Sequence, residues 1–119
     1  MSNQSCIDEA AIAQIREIGG NELLVKLIDL FVEYVGGRLV AARCAVQQDN
    51  IDAVRDAVHP IKSSAANLGA RHVREIAQQI EQLAKLNNAR HIPARLDDLD
   101  GAFALARDAL LKLRGEISA

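Results

Sequence analysis

The chain has 119 residues, half of them apolar and a quarter charged, with 14 Lys and Arg against 16 Asp and Glu for a net charge of −2. That length and composition fit one globular domain, residues 1–119, whose core needs neither disulfide nor metal. The acidic balance argues against a general nucleic-acid binder, no apolar run approaches the ~20 residues of a membrane span, and Met1–Cys6 lacks the basic and apolar regions of a signal peptide. Cys6 and Cys44 stand in no motif and read as reduced thiols of a cytoplasmic protein.

Ala, Leu, Ile and Val dominate and aromatics are few, which favours helices packed on helices. Apolar residues recur at helical spacing nearly throughout, and five helices are predicted. The first covers about 7–18, with Ser5 and Asp8 as a capping box, Ile7, Ile12, Ile15 and Ile18 as its apolar side, and Gly19-Gly20 as its stop. The second, about 22–48, is capped by Asn21; its inner stripe runs from Leu24 to Val46, and Gly36-Gly37 inside it suggests a bend or a close contact. Asp49-Asn50 is a turn and cap. The third helix, about 51–68, carries Ile51, Val54, Val58, Ile61, Ala65 and Leu68 at alternating spacings of 3 and 4, and Gly69 ends it. The fourth, about 71–87, buries Val73, Ile76, Ile80 and Leu83, and Asn87-Asn88 closes it. The fifth, about 92–115, has Pro93 in its first turn and a stripe from Ile92 to Ile117. Four long amphipathic helices joined by short turns pack antiparallel, so the expected fold is an all-α, up-down four-helix bundle with a short N-terminal helix as a lid.

A bundle alone is not a function. The third helix carries the best candidate for chemistry, His59, one position past the seam and so at the surface. Arg55 and Lys62 flank it on the same stripe, and Ser63 shares that side. A neutral imidazole nitrogen on a convex surface can attack an electrophile brought by another protein. Cations one turn away favour an arriving anionic phosphoryl group, and small residues at Ser63, Ala65 and Ala66 let a partner come close. His72 and His91 share no metal-ligand spacing, and neither a CxxC nor an HExxH motif occurs. No Gly-rich phosphate loop is present.

The segment from His59 to Ala70, His-Pro-Ile-Lys-Ser-Ser-Ala-Ala-Asn-Leu-Gly-Ala, resembles the signature of histidine-containing phosphotransfer domains, roughly H-x-L-K-G-S-[SA]-x-x-[LIV]-G. His59, Lys62, Ser64, Ala65, Leu68 and Gly69 match it, and Ile7-Asp8, Gly19-Gly20, Leu30-Phe31, Asp49 and Ile80-Glu81 extend the likeness along the chain. The resemblance implies a phosphorelay intermediate without an ATP site or autokinase activity. His59 would take a phosphoryl group from an aspartate of a response-regulator receiver domain and pass it to another. Lys62 would be its electrostatic partner, and the receiver would supply Mg²⁺, so the chain itself needs no cofactor. The implied partners are receiver domains and a hybrid sensor histidine kinase. A monomer is expected, and the start at Met1 favours a free-standing protein over a piece cut from a longer hybrid kinase.

On the fourth helix, Arg71, Arg74, Gln78, Glu81 and Lys85 form a polar stripe beside this site. The resemblance implies Gln78 or Gln82 as a hydrogen-bond partner of the His59 ring or of the phosphoryl group. Two positions depart from the family pattern. Ser63 replaces a Gly, and Pro60 removes a hydrogen bond to the Asp56 carbonyl, either as a tolerated kink or by re-aiming His59. These departures raise a second reading, a docking module that binds receivers without transfer. A third, the dimerisation region of a histidine kinase, calls for an acidic residue directly after the His, where Pro60 stands.

Overall fold

The computed structural model describes residues 6–118. α1 spans Glu9–Gln47, α2 Ile51–Asn67, α3 Arg71–Lys85 and α4 Ile92–Ser118, with one 3₁₀ turn, Ala89–His91, leading into α4. α1 packs on α2 and α4, and α3 packs on the same two, so the helices close a four-membered antiparallel ring. Among the described residues no helix is long and apolar enough to cross a membrane.

The turns are short because each of the first three helices ends on a residue that reverses the chain. Asp49, Gly69 and Asn87 have φ of 55°, 71° and 57°. At each, two amides return to the last helical turn: Asn50 to Ala45 and Asp49 to Val46, Ala70 to Ala65 and Gly69 to Ala66, Asn88 to Leu83 and Asn87 to Ala84. This is the Schellman arrangement, and it satisfies carbonyls that a helix end otherwise orphans. Asn50 then caps α2, accepting from the Ala53 amide at 3.1 Å.

α1 contains the two helices expected over 7–18 and 22–48, joined across a kink. It is one run broken at Gly20 alone, where φ is 70° and ψ −167°, a combination essentially closed to residues with a Cβ. Asp8 is the N-cap, accepting from the Ala10 amide at 3.0 Å; Ser5 lies outside the described residues. Asn21, expected as a cap, accepts from Arg16 Nε across the break at 2.9 Å. The arm 9–19 buries Ile12 and Ile15, but Ile18 is 75 % exposed. At 3.6 residues per turn Ile18 stands about 90° from the midline of Ile12 and Ile15. The arm is strapped to the far end of α2, where the Asp8 amide donates to the Gly69 carbonyl at 2.8 Å.

The core follows the expected seam in α2 from its second position on, with Val54, Val58, Ile61, Ala65 and Leu68 buried, Ile51 only half-buried and Ala57 added. In α3 the buried line is Val73, Ala77, Ile80 and Ala84, with Ile76 and Leu83 only half-buried. α1 keeps helical dihedral angles through Gly36-Gly37. No close contact calls for glycine there: Phe103 Cζ lies 4.0 Å from where a Cβ on Gly36 would sit, an ordinary van der Waals distance, and nothing lies near one on Gly37. α4 extends to Ser118 and packs Phe103 on Phe31 with ring centroids 5.6 Å apart. Arg43 bridges to Asp97 and Asp100, and Arg114 to Asp29, so ion pairs also tie α1 to α4.

Pro60 does not end α2, which continues from Ile51 to Asn67 around it. The Asp56 carbonyl that loses its helical donor accepts instead from Arg38 Nη2 of α1 at 3.1 Å, and Arg38 Nε donates to the Ala57 carbonyl at 3.2 Å.

Candidate functional site

His59 stands on the outer side of α2, next to buried Val58, with its side chain 65 % exposed. Lys62 follows three residues on, on the same side. Glu81 reaches the pair from α3. It sits beside fully buried Ile80, so its carboxylate emerges at the rim of the seam between α2 and α3, 15 % exposed. One carboxylate oxygen, Oε2, lies 2.5 Å from His59 Nδ1, and the other, Oε1, is ion-paired with Lys62 Nζ.

The charges of this cluster decide the tautomer. Burial raises the Glu81 carboxyl, but the Lys62 ammonium and the His59 ring more than offset it, and the group is held below the usual carboxylate range. An ionised carboxylate only accepts, so His59 Nδ1–H must be the donor. In the neutral ring the lone pair is then on Nε2, which has no hydrogen-bond partner among the described residues. The result is a nucleophilic nitrogen on a convex surface, with its ring oriented from behind and a cation alongside.

The other site candidates fall into two groups. Arg55 is half-buried one turn before His59, while Ser63 and Ala66 are exposed and small beyond it, all on α2. Gln78 and Gln82 make no hydrogen bond to the His59 ring, which bonds to Glu81. Both are exposed, and with Gln79, Leu86, His91 and Arg95 they line a groove between α3 and α4. Taking Val73, Ala77, Ile80 and Ala84 as the buried midline, Glu81 lies about 70° round α3 and Gln78 and Gln82 about 130° and 170°. His72 is exposed and 3.8 Å from Glu75 on its own helix. Among the described residues no cluster of three or more His, Cys, Asp or Glu is arranged to hold a metal.

Arg38 is the residue that sequence reasoning missed. A signal for it existed. With the α1–α2 turn centred on Asp49, residues 38 and 60 are each eleven positions from the turn and so face one another across the hairpin. A cation opposite a helical proline can serve the orphaned carbonyl.

The Hpt domain family model matches residues 26–116. The crystal structure of histidine-containing phosphotransfer protein B (HptB) from Pseudomonas aeruginosa is similar at 25 % identity over 93 % of this chain and 96 % of that one, with a TM-score of 0.88. An X-ray structure from rice, described as a "putative histidine-containing phosphotransfer protein", is similar at 22 % identity over 98 % of this chain and 89 % of that one, with a TM-score of 0.81. At that identity the rice likeness concerns the fold. Among curated proteins none matches the chain significantly.

Proposed function

The chain belongs to the Hpt domain family, the phosphotransfer intermediates of two-component signalling, and from that premise we propose that His59 is its phosphoryl acceptor and donor. The observation that carries this is the geometry of one side chain: an exposed imidazole whose Nδ1–H is held by ionised Glu81, leaving Nε2 free.

In the transfer, the Nε2 lone pair of neutral His59 attacks phosphorus of an aspartyl phosphate on a receiver domain. The N–P bond forms, the P–O bond to the aspartate breaks, and the carboxylate leaves with the electron pair. The ring becomes cationic, with Nδ1 still protonated, and the Glu81 carboxylate faces that developing charge. Lys62 stands where its ammonium can attract the phosphoryl oxygens. Mg²⁺ belongs to the receiver in this scheme. Arg55, Ser63 and Ala66 form the approach, with small side chains where the receiver closes on α2. Residues 1–119 act as one monomeric phosphotransfer unit in the cytoplasm, between receivers and a hybrid sensor histidine kinase, and contribute no kinase activity.

The docking-module reading rested on Pro60 and Ser63. The helix that continues past Pro60, with Arg38 at the vacant carbonyl, favours transfer over docking alone. The test mixes pre-phosphorylated receivers of the source organism with the protein and with His59→Gln. An acid-labile, alkali-stable phosphoryl group on the unmodified chain only is the expected result. Tight receiver binding with no label on the chain would overturn it in favour of docking alone.

A further inference from the structure

Pro60 leaves a defect in α2 one residue after His59, and the structure repairs it from another helix. Without an N–H, Pro60 cannot donate to the Asp56 carbonyl, which is the bond that closes the turn from 56 to 60. That turn fixes the backbone from which the His59 side chain leaves. Arg38 of α1 supplies the missing donor with Nη2 at 3.1 Å, and its Nε donates to the next carbonyl, of Ala57, at 3.2 Å. Nε and Nη2 lie on one edge of a rigid planar group, so a single guanidinium spans two successive carbonyls in a fixed geometry. Among the described residues Arg38 has no carboxylate within ion-pair distance. Its half-buried charge is thus committed to this turn.

We propose that Arg38 is a positioning residue for His59: its guanidinium replaces the helical hydrogen bond that Pro60 removes, and so holds the turn that aims the imidazole at Glu81. Pro60 and Arg38 then act as a unit. The consequence for reactivity rests on His59 being the phosphoryl acceptor, whereas the consequence for the ring's geometry does not.

The test is a cycle of four proteins: the unmodified chain, Arg38→Met, Pro60→Ala and the double variant. Met keeps the apolar stem and has no donor, and Ala at 60 restores the helical amide. The first readout is the ¹⁵N shifts of the two His59 ring nitrogens at a pH where the ring is neutral, which report the tautomer and need no phosphorylation. The second is the rate of His59 phosphorylation by phosphoramidate. With Pro60 present, Arg38→Met is expected to mix the tautomers and slow phosphorylation by about tenfold, short of the ~100-fold that a full 1 Å misplacement costs. With Pro60→Ala, the same change is expected to alter the rate by less than about twofold, which is the coupling that marks two residues acting together. Failure of Arg38→Met to fold while the double variant folds is the same result in stronger form. Equal effects of Arg38→Met in both backgrounds, or none in either, would overturn the proposal. If no variant takes phosphate, the function reading fails, and the ring spectra still decide the positioning role.

Discussion

Glu81 serves two masters, and that sets what its removal does. Its carboxylate both accepts from His59 and pairs with Lys62. Glu81→Gln keeps the shape but lowers basicity, so the Nδ1–H tautomer loses its preference and the cationic ring loses its counter-charge. Phosphorylation of His59 by phosphoramidate should slow by about tenfold or more, the scale seen when a histidine at a metal site loses its outer partner. Stability should respond to pH with a definite sign. The unfolded carboxyl titrates near its ordinary 4.5, and the folded one lower. Glu81 therefore contributes stability that is fully present above 4.5 and is lost as pH falls through the folded value. Denaturant unfolding of the unmodified chain and of Glu81→Gln should show a stability gap at neutral pH that shrinks under acid; a constant gap would contradict the assignment. His59 and Lys62 were legible because both lie on one helix, where spacing alone gives the face. Glu81 was placed on the right stripe, but the partner role went to Gln78 and Gln82. Spacing along α3 cannot rank three neighbours until the angle of α3 to α2 is known. Charge could have ranked them, since Glu81 is the anion among the three.

The helix ends follow backbone chemistry, and four positions separate its components. Gly20 needs a dihedral region closed to other residues but has open space around its Cα, whereas Gly69 combines a positive φ with Asp8 backbone atoms 2.8–2.9 Å from any added Cβ. Gly20→Ala should cost about 1–3 kcal/mol from backbone strain alone. Gly69→Ala should cost more, because the strain is joined by a clash that also breaks the Asp8–Gly69 strap. The opposite sign is expected where a residue with a Cβ already holds the left-handed conformation: Asp49→Gly and Asn87→Gly should each stabilise by up to about 1 kcal/mol, Asp49 the more, since Asn tolerates that region better. Thermal unfolding of the four variants orders them. These ends were readable in advance from Gly69, Asn87-Asn88 and Asp49-Asn50, because turn residues carry their reason locally. The break at Gly19-Gly20 was equally readable, but what the arm before it packs against was not. A pair of glycines says that the helix yields, but whether it stops or bends and resumes depends on what the short arm finds to pack against, here Gly69 and the end of α2.

Over the whole molecule two kinds of contact join α1 to α4, and they should differ in their response to salt. The polar kind is the bidentate pair of Arg114 with Asp29, at 2.7 and 2.9 Å, where Arg114 holds Asp29 below its ordinary pKa and is itself raised. Both side chains are well exposed, so water and ions screen them. The apolar kind is Phe103, buried against Phe31 and near Gly36, with the Arg107 guanidinium 5.9 Å from its ring centroid. The expected all-α bundle emerged from the stripes because burying them leaves little choice of neighbours. The ion pairs joining residues 54 to 85 positions apart did not, since exposed charges pair by proximity rather than by pattern. Arg114→Ala should therefore lower the melting temperature slightly at low ionic strength and not at all near 1 M salt, where the screening length is about 3 Å. Phe103→Ala should cost about 3–5 kcal/mol at either ionic strength, through lost burial and the cavity it leaves beside Phe31. Melting curves of both variants across a salt series decide the matter. A salt-independent loss in Arg114→Ala would mean that its stem, not its charge, closes the ring between α1 and α4.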